Sequence, residues 1–94
     1  MNSSNMLVTV IIPVFNTAEY LNEAIGSIQH QTLQELEIVA IDDCSSDNSL
    51  QILRELAATD SRIKVIAMPQ NQGQSVCRNK GLEIATGEYI YFFD

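Results

Sequence analysis

Leu7-Val8-Thr9-Val10-Ile11-Ile12, closed by Pro13, is a short, nearly continuous apolar run rich in β-branched residues. Such side chains are stiff at χ1 and suit a pleated backbone. Without polar alternation, the run predicts a strand buried on both faces, the kind found in parallel sheets. Pro13 is expected to stop it, having no N–H to give to a ladder. The period then changes. Asn16 offers an N-cap, with Glu19 three residues on as in a capping box. Leu21, Ala24, Ile25 and Ile28 follow at i, i+3, i+4 and i+7, one apolar helix stripe.

The unit recurs. Leu36 to Ile41 reads as a second buried strand, broken by Asp42-Asp43. Ser46-Asp47 can cap a helix whose stripe is Leu50, Leu53, Leu56 and Ala57. Ile63 to Ala67 is a third strand, ended by Pro69. A third helix is expected from about Gln72 to Thr86, with Gly87 as its C-terminal cap, and Tyr89 to Phe93 is a fourth strand. The order β-α-β-α-β-α-β implies a single α/β domain over residues 1–94. Its sheet is Rossmann-like, open and mostly parallel, with helices on both faces. Ligands of such sheets bind beyond the carboxyl ends of the strands. That rule places residues 13–16, 42–46, 68–73 and Asp94 at the mouth.

The chain has 94 residues and a formal net charge of −7. The acidity argues against a nucleic-acid partner, whose phosphates call for basic side chains. It does not argue against a nucleotide, since a few cations or a metal can offset a diphosphate. Cys44 and Cys77 form neither a CxxC pair nor a zinc site and are read as free thiols in a reducing compartment. No apolar run is long enough to span a bilayer, and the start lacks the features of a signal peptide. The expectation is a cytoplasmic domain, with membrane association only through regions outside this stretch.

Neither G-x-G-x-x-G nor G-x-x-x-x-G-K-[ST] occurs, so glycine-loop phosphate binding is excluded. Asp42-Asp43 has two readings. One is an Asx-turn and helix cap, with Ser45 and Ser46 as partners. The other has a carboxylate accepting the N3–H of a uracil ring while backbone N–H groups serve its carbonyls. Phe15 either packs in the core or stacks on a base. Asn16 is a cap or a ligand contact. Asn71 to Ser75, ahead of the third helix, could face an anion, with Arg78 and Lys80 adding charge. Gly81 inside that helix costs about 1 kcal/mol relative to Ala, which a close approach to a strand would offset. His30, near the end of the first helix, suits the dipole and is given no chemistry.

In this order and spacing, the segments resemble family 2 glycosyltransferases of the GT-A fold over nearly the whole chain. The matching stretches are Val8 to Asn16, Leu21 to Ile28 with Gln31-Thr32, Glu37 to Asp47, Asn71-Gln72-Gly73, Cys77 to Gly81, and Thr86 to Ile90. The resemblance implies that Pro13, Val14 and Phe15 line the base and ribose, with Asn16 and Glu19 at the rim. Asp43 would accept from the base imide while Asp42 supports the loop. Gly73 and Arg78 would border the phosphates and sugar, and Asp94 would open a DxD motif that holds a divalent metal, Mn2+ or Mg2+. It further implies transfer from a nucleotide sugar, a UDP-sugar above all, to a hydroxyl on a glycan or lipid-linked acceptor in polysaccharide biosynthesis. The anomeric centre would invert. The general base lies downstream, so this N-terminal nucleotide-binding half alone is expected not to turn over. The family usually has Gly where Cys44 stands and often Tyr where Phe15 stands. Two other classes compete: a receiver-like signalling domain, and a non-catalytic interaction module; apolar surface around Tyr91, Phe92 and Phe93, uncovered by truncation, is expected to self-associate as an artefact.

Overall fold

Side-chain alternation along the first two strands sorts the apolar residues into two cores, one on each face of a sheet. In the computed structural model, which describes residues 7–30 and 35–93, seven elements alternate. They are β1 (Leu7–Val14), α1 (Ala18–Gln29), β2 (Glu35–Asp42), α2 (Ser49–Thr59), β3 (Ile63–Ala67), α3 (Gln74–Ile84) and β4 (Tyr89–Phe92). Val10, Ile12 and Val14 of β1 and Leu36, Ile38 and Ala40 of β2 pack against Leu21, Ile25 and Ile28 of α1 and Leu53 of α2. The intervening Ile11, Val39 and Ile41 face Cys77 of α3. Helices therefore cover both faces, and β1 and β2 are buried on both, as their nearly continuous apolar runs require.

All pairings are parallel and the sheet order is β3-β2-β1-β4. The chain moves outward from β1 through β2 to β3, then returns to the other side of β1 as β4. The topological switch point thus falls between β1 and β4, where open α/β sheets bind ligands. In receiver-type order the third strand lies beside the first. Here β3 lies beside β2, so the receiver reading is set aside.

Four local expectations need correction. Pro13 does not end β1, which continues to Val14 with Pro13 opposite Ile41 of β2. The carbonyls of Leu7 and Ile11 face β4, accepting from Glu88 and Phe93, so the imino position of Pro13 points the same way. Pairing with β4 ends at Ile11–Phe92, and no ladder bond is lost. The second strand runs one residue further at each end than Leu36 to Ile41. The third helix is shorter than expected, and Ala85 rather than Gly87 is its C-cap. Gly87 lies against β1 instead. A Cβ there would stand 2.6 Å from the Thr9 hydroxyl and 2.8 Å from the Leu7 carbonyl, so only glycine fits. Gly81 does make the close approach that its position suggests, against Ile11 of β1. Tyr89, Ile90, Tyr91 and Phe92 of β4 are exposed.

One polar group inside the apolar run of β2 organises the amino-terminal end of the sheet. Glu37 is 4% exposed. Its carboxylate accepts from Thr9 Oγ1 at 2.6 Å, Thr86 N at 2.9 Å, Thr86 Oγ1 at 3.1 Å and Lys64 Nζ. Gly87 N then donates to Thr9 Oγ1 at 2.9 Å. A single carboxylate therefore joins β1, β2, β3 and the α3–β4 connection. Burial pushes its pKa up, but the Lys64 ammonium, the Thr86 amide and the two threonine hydroxyls outweigh that and hold it at about 2, below the ordinary 4.5.

A carboxylate held low stabilises the fold above its unfolded pKa and loses that contribution as pH falls through its folded pKa. Glu37→Gln is expected to destabilise the protein by about 2 kcal/mol at neutral pH, allowing for screening of the half-exposed Lys64. It should also flatten the loss of stability between pH 4.5 and about 2. Denaturant titrations across that range check both effects.

Candidate functional site

The loops after β1 and β2 meet at the mouth of the sheet and brace each other. Asn16 has φ +51°, a left-handed conformation that Asn tolerates better than most residues. Its Oδ1 accepts from Ser46 N at 2.8 Å, Asp47 N at 3.2 Å and Ser46 Oγ at 3.3 Å. In return, Asn16 N donates to Ser45 Oγ at 2.9 Å, Thr17 N to Ser49 Oγ at 3.0 Å and Ala18 N to Asp47 Oδ2 at 3.1 Å. The expected Asn16–Glu19 capping box does not form. Thr17 is the N-cap position, without a cap bond from its own side chain, and the donors are served from the next loop. Glu19 lies exposed on the first turn of α1. Asp47 also accepts from Ser49 N at 2.9 Å, so one carboxylate faces the starts of both α1 and α2. The Ser49 hydroxyl bond leads the interactions that lower its pKa.

The adjacent aspartates divide their work. Asp42 is buried and makes an Asx-turn, accepting from Ser45 N at 3.1 Å and Ser45 Oγ at 2.6 Å. Asp43, also buried, reaches across to the β3–α3 loop. Its Oδ1 accepts from Gln72 N at 2.8 Å, and its Oδ2 from Gly73 N at 2.9 Å and Asn71 Nδ2 at 3.0 Å. Gly73 has φ +95° and ψ 163°, a region open essentially to glycine alone, and this turns its N–H toward the carboxylate. Cys44, next in sequence, has φ +61°. The left-handed turn that the usual glycine would make is therefore present, with a side chain on it.

A cleft of about 440 Å³ opens between these loops and α3. Five of the expected site residues line it: Pro13, Val14, Phe15, Asp43 and Gly73. Phe15 is 48% exposed, which rules out simple core packing and leaves its ring face available. Asn16 and Asp42 stand behind the cleft as loop braces. Arg78 sits on the β4 side, its guanidinium 5.9 Å from the centre of the Phe92 ring. Asp94, the expected metal ligand, lies outside the described residues. Among the described residues no group of three His, Cys, Asp or Glu side chains is placed to hold a metal. No helix among them is long and apolar enough to cross a membrane.

Asn71 and Gln74, from the segment expected to face an anion, also line the cleft, as do Thr17 and Cys77, for which no site role is expected from the sequence. For Cys77 the signal was available. Cys77, Gly81 and Ile84 recur at i, i+4 and i+7 and form the inward face of α3. Burial pushes the Cys77 thiol up to about 11, with Asp43 adding to the shift by its charge and a hydrogen bond.

A parallel sheet in 3-2-1-4 order, with helices on both faces and a cleft beyond its strand ends, defines a doubly wound α/β class of fold. The chain belongs to glycosyl transferase family 2, whose profile matches residues 9–94. An uncharacterized glycosyltransferase of Haemophilus influenzae is 43% identical over 94% of this chain and 35% of its own length. Staphylococcus aureus TarS 1–349 in complex with UDP-GlcNAc superposes with a TM-score of 0.86 at 36% identity, over 95% of this chain and 27% of that one. The mannosyltransferase PcManGT from Pyrobaculum calidifontis, in complex with GDP-Man and Mn2+, gives 0.84 at 28% identity, over 94% and 27%. The chain spans about a third of the length of the curated relatives it matches.

The left-handed Cys44 stores strain of about 1 kcal/mol that glycine would relieve. Cys44→Gly is therefore expected to raise the midpoint of chemical denaturation. An unchanged or lower midpoint would show that the Cys44 side chain, whose Sγ lies 3.8 Å from the Pro69 carbonyl, outweighs the strain.

Proposed function

We propose that this chain reads the nucleotide of a nucleotide-sugar donor, a UDP-sugar above all, within a longer glycosyltransferase. The observation that carries this reading is Asp43, a buried carboxylate in the wall of a 440 Å³ cleft beside the exposed ring of Phe15. Uracil presents one N–H between two carbonyls. A carboxylate matches the N–H, backbone amides can meet the carbonyls, and an aromatic face can stack on the ring. Pro13 and Val14 supply an apolar floor for base and ribose.

The distribution of charge favours an added cation at the diphosphate. A helix N-terminus is the usual anion site of this architecture. Here α1 and α2 already face the Asp47 carboxylate, and the turn into α3 faces Asp43. The chain is acidic throughout, at net −7. A divalent metal such as Mn2+ or Mg2+, held by Asp94 with further ligands, would supply the missing charge and stabilise the leaving diphosphate. In this reading an acceptor hydroxyl, deprotonated by a base outside this stretch, displaces the nucleotide with inversion at the anomeric carbon.

An NMR titration with UDP, with ADP as control, tests the base assignment. UDP is expected to shift the amides of Val14, Phe15 and Asp43 selectively. Equal shifts with ADP, or shifts confined to other parts of the chain, would overturn it.

A further inference from the structure

Phe15 and Asp43 both line the cleft but stand on different loops, so one base can meet both only if those loops keep a fixed spacing. Two ties between the loops set it, one on either side of Phe15. Asp43 N donates to Val14 O at 2.8 Å. Asn16 N donates to Ser45 Oγ at 2.9 Å. Between the ties lie Phe15 on one loop and Cys44 on the other. The first tie joins backbone to backbone and does not depend on a side chain. The second depends on one hydroxyl.

That hydroxyl has a single direction open to it. An amide N–H can only donate and a carboxylate can only accept. Ser45 Oγ therefore accepts from Asn16 N and donates its O–H to Asp42 Oδ1 at 2.6 Å. The bond to Asp42 is charge-assisted, and linked hydrogen bonds polarise one another. Asp42 is 1% exposed and is the last residue of β2. It also accepts from Ser45 N at 3.1 Å, so the relay is anchored in the sheet. The Asn16 side chain joins the same loops through Ser46 N and Asp47 N, and the hydroxyl carries the connection on to the buried carboxylate. We propose that Ser45 is a positioning residue: its hydroxyl links the Asp42 carboxylate to the amide that follows Phe15, and so holds the exposed ring at the spacing from Asp43 that a base with a ring N–H requires. The inference rests on the reading of the cleft as a base pocket. Ser45 acts on the base through Phe15. Without the hydroxyl, Asp43 keeps its three donors from the β3–α3 loop, and the tie to Val14 remains. The ring alone is released, so discrimination between bases falls more than binding as a whole.

The test uses the whole protein, titrated with UDP and ADP. Ser45→Ala is expected to weaken UDP binding roughly fivefold, the scale of one hydrogen bond, and to change ADP binding by less than about twofold. Ser45→Thr, which keeps the hydroxyl, should bind UDP as wild type does. A merely structural role would weaken both nucleotides alike. Equal losses for UDP and ADP, an unchanged UDP affinity in Ser45→Ala, or Ser45→Thr behaving as Ser45→Ala overturns the role of Ser45 and leaves the base pocket standing. Hydrogen exchange at the Asn16 amide of wild type decides the matter even if a variant folds poorly. It is expected to slow when UDP binds and to stay the same with ADP, and an amide unmoved by bound UDP overturns the relay. Failure of wild type to prefer UDP over ADP overturns the pocket itself, and this inference with it.

Discussion

α3 is seated on the sheet by two carboxylates of one strand. Glu37, near the start of β2, holds Thr86 just after the helix, and Asp43, just beyond the end of β2, holds Gln72 and Gly73 just before it. The helix needs this help. It buries only Cys77 and Gly81 fully, where α1 buries Leu21, Ile25 and Ile28. A glycine contributes no side chain to a core, so the apolar drive for docking α3 is small. Hydrogen bonds to charged groups are stronger than neutral ones, and a buried carboxylate that lost its donors would be costly. The polar clamps therefore set where α3 lies, and α3 is one wall of the cleft.

The same economy of donors shapes the mouth of the sheet. Backbone N–H groups at the start of a helix need partners. Here side chains from the neighbouring loop supply them, with Ser45, Ser49 and Asp47 serving the entry to α1 while Asn16 serves the loop in return. The two loops form one rigid rim, and that rim presents Phe15 to solvent. What keeps the rim rigid also spends its anion-binding capacity on carboxylates. The helix starts at the mouth thus already face carboxylates of the chain itself.

The sequence carried the strands and helices plainly, because apolar runs and apolar stripes are local signals. Its errors arose where partners lie far apart along the chain. Asn16 looked like a cap for the helix after it, but its side chain bonds to residues 30 and 31 positions away. Pro13 looked like a strand end because nothing local reveals that the strand beside it stops first. Gly87 looked like a helix cap because its contact with β1 spans most of the chain. Glu37 was visible as a polar residue in an apolar run, yet its partners Thr9, Lys64 and Thr86 come from three other parts of the fold. At the site, Asp42 made the turn that its type and position suggest, and Phe15 was exposed rather than packed in the core. The hold of Asp43 on the Gly73 turn could be read only from three dimensions.

Amide hydrogen exchange in wild type and Asp43→Asn, with UDP binding measured on the same samples, tests most directly whether polar clamps seat α3 and so build the cleft. The expected result is faster exchange at Gln72, Gly73 and the first turn of α3, unchanged protection in α1 and α2, and loss of UDP binding. Protection of α3 equal to wild type would contradict it, because the helix would then be held by its apolar face alone.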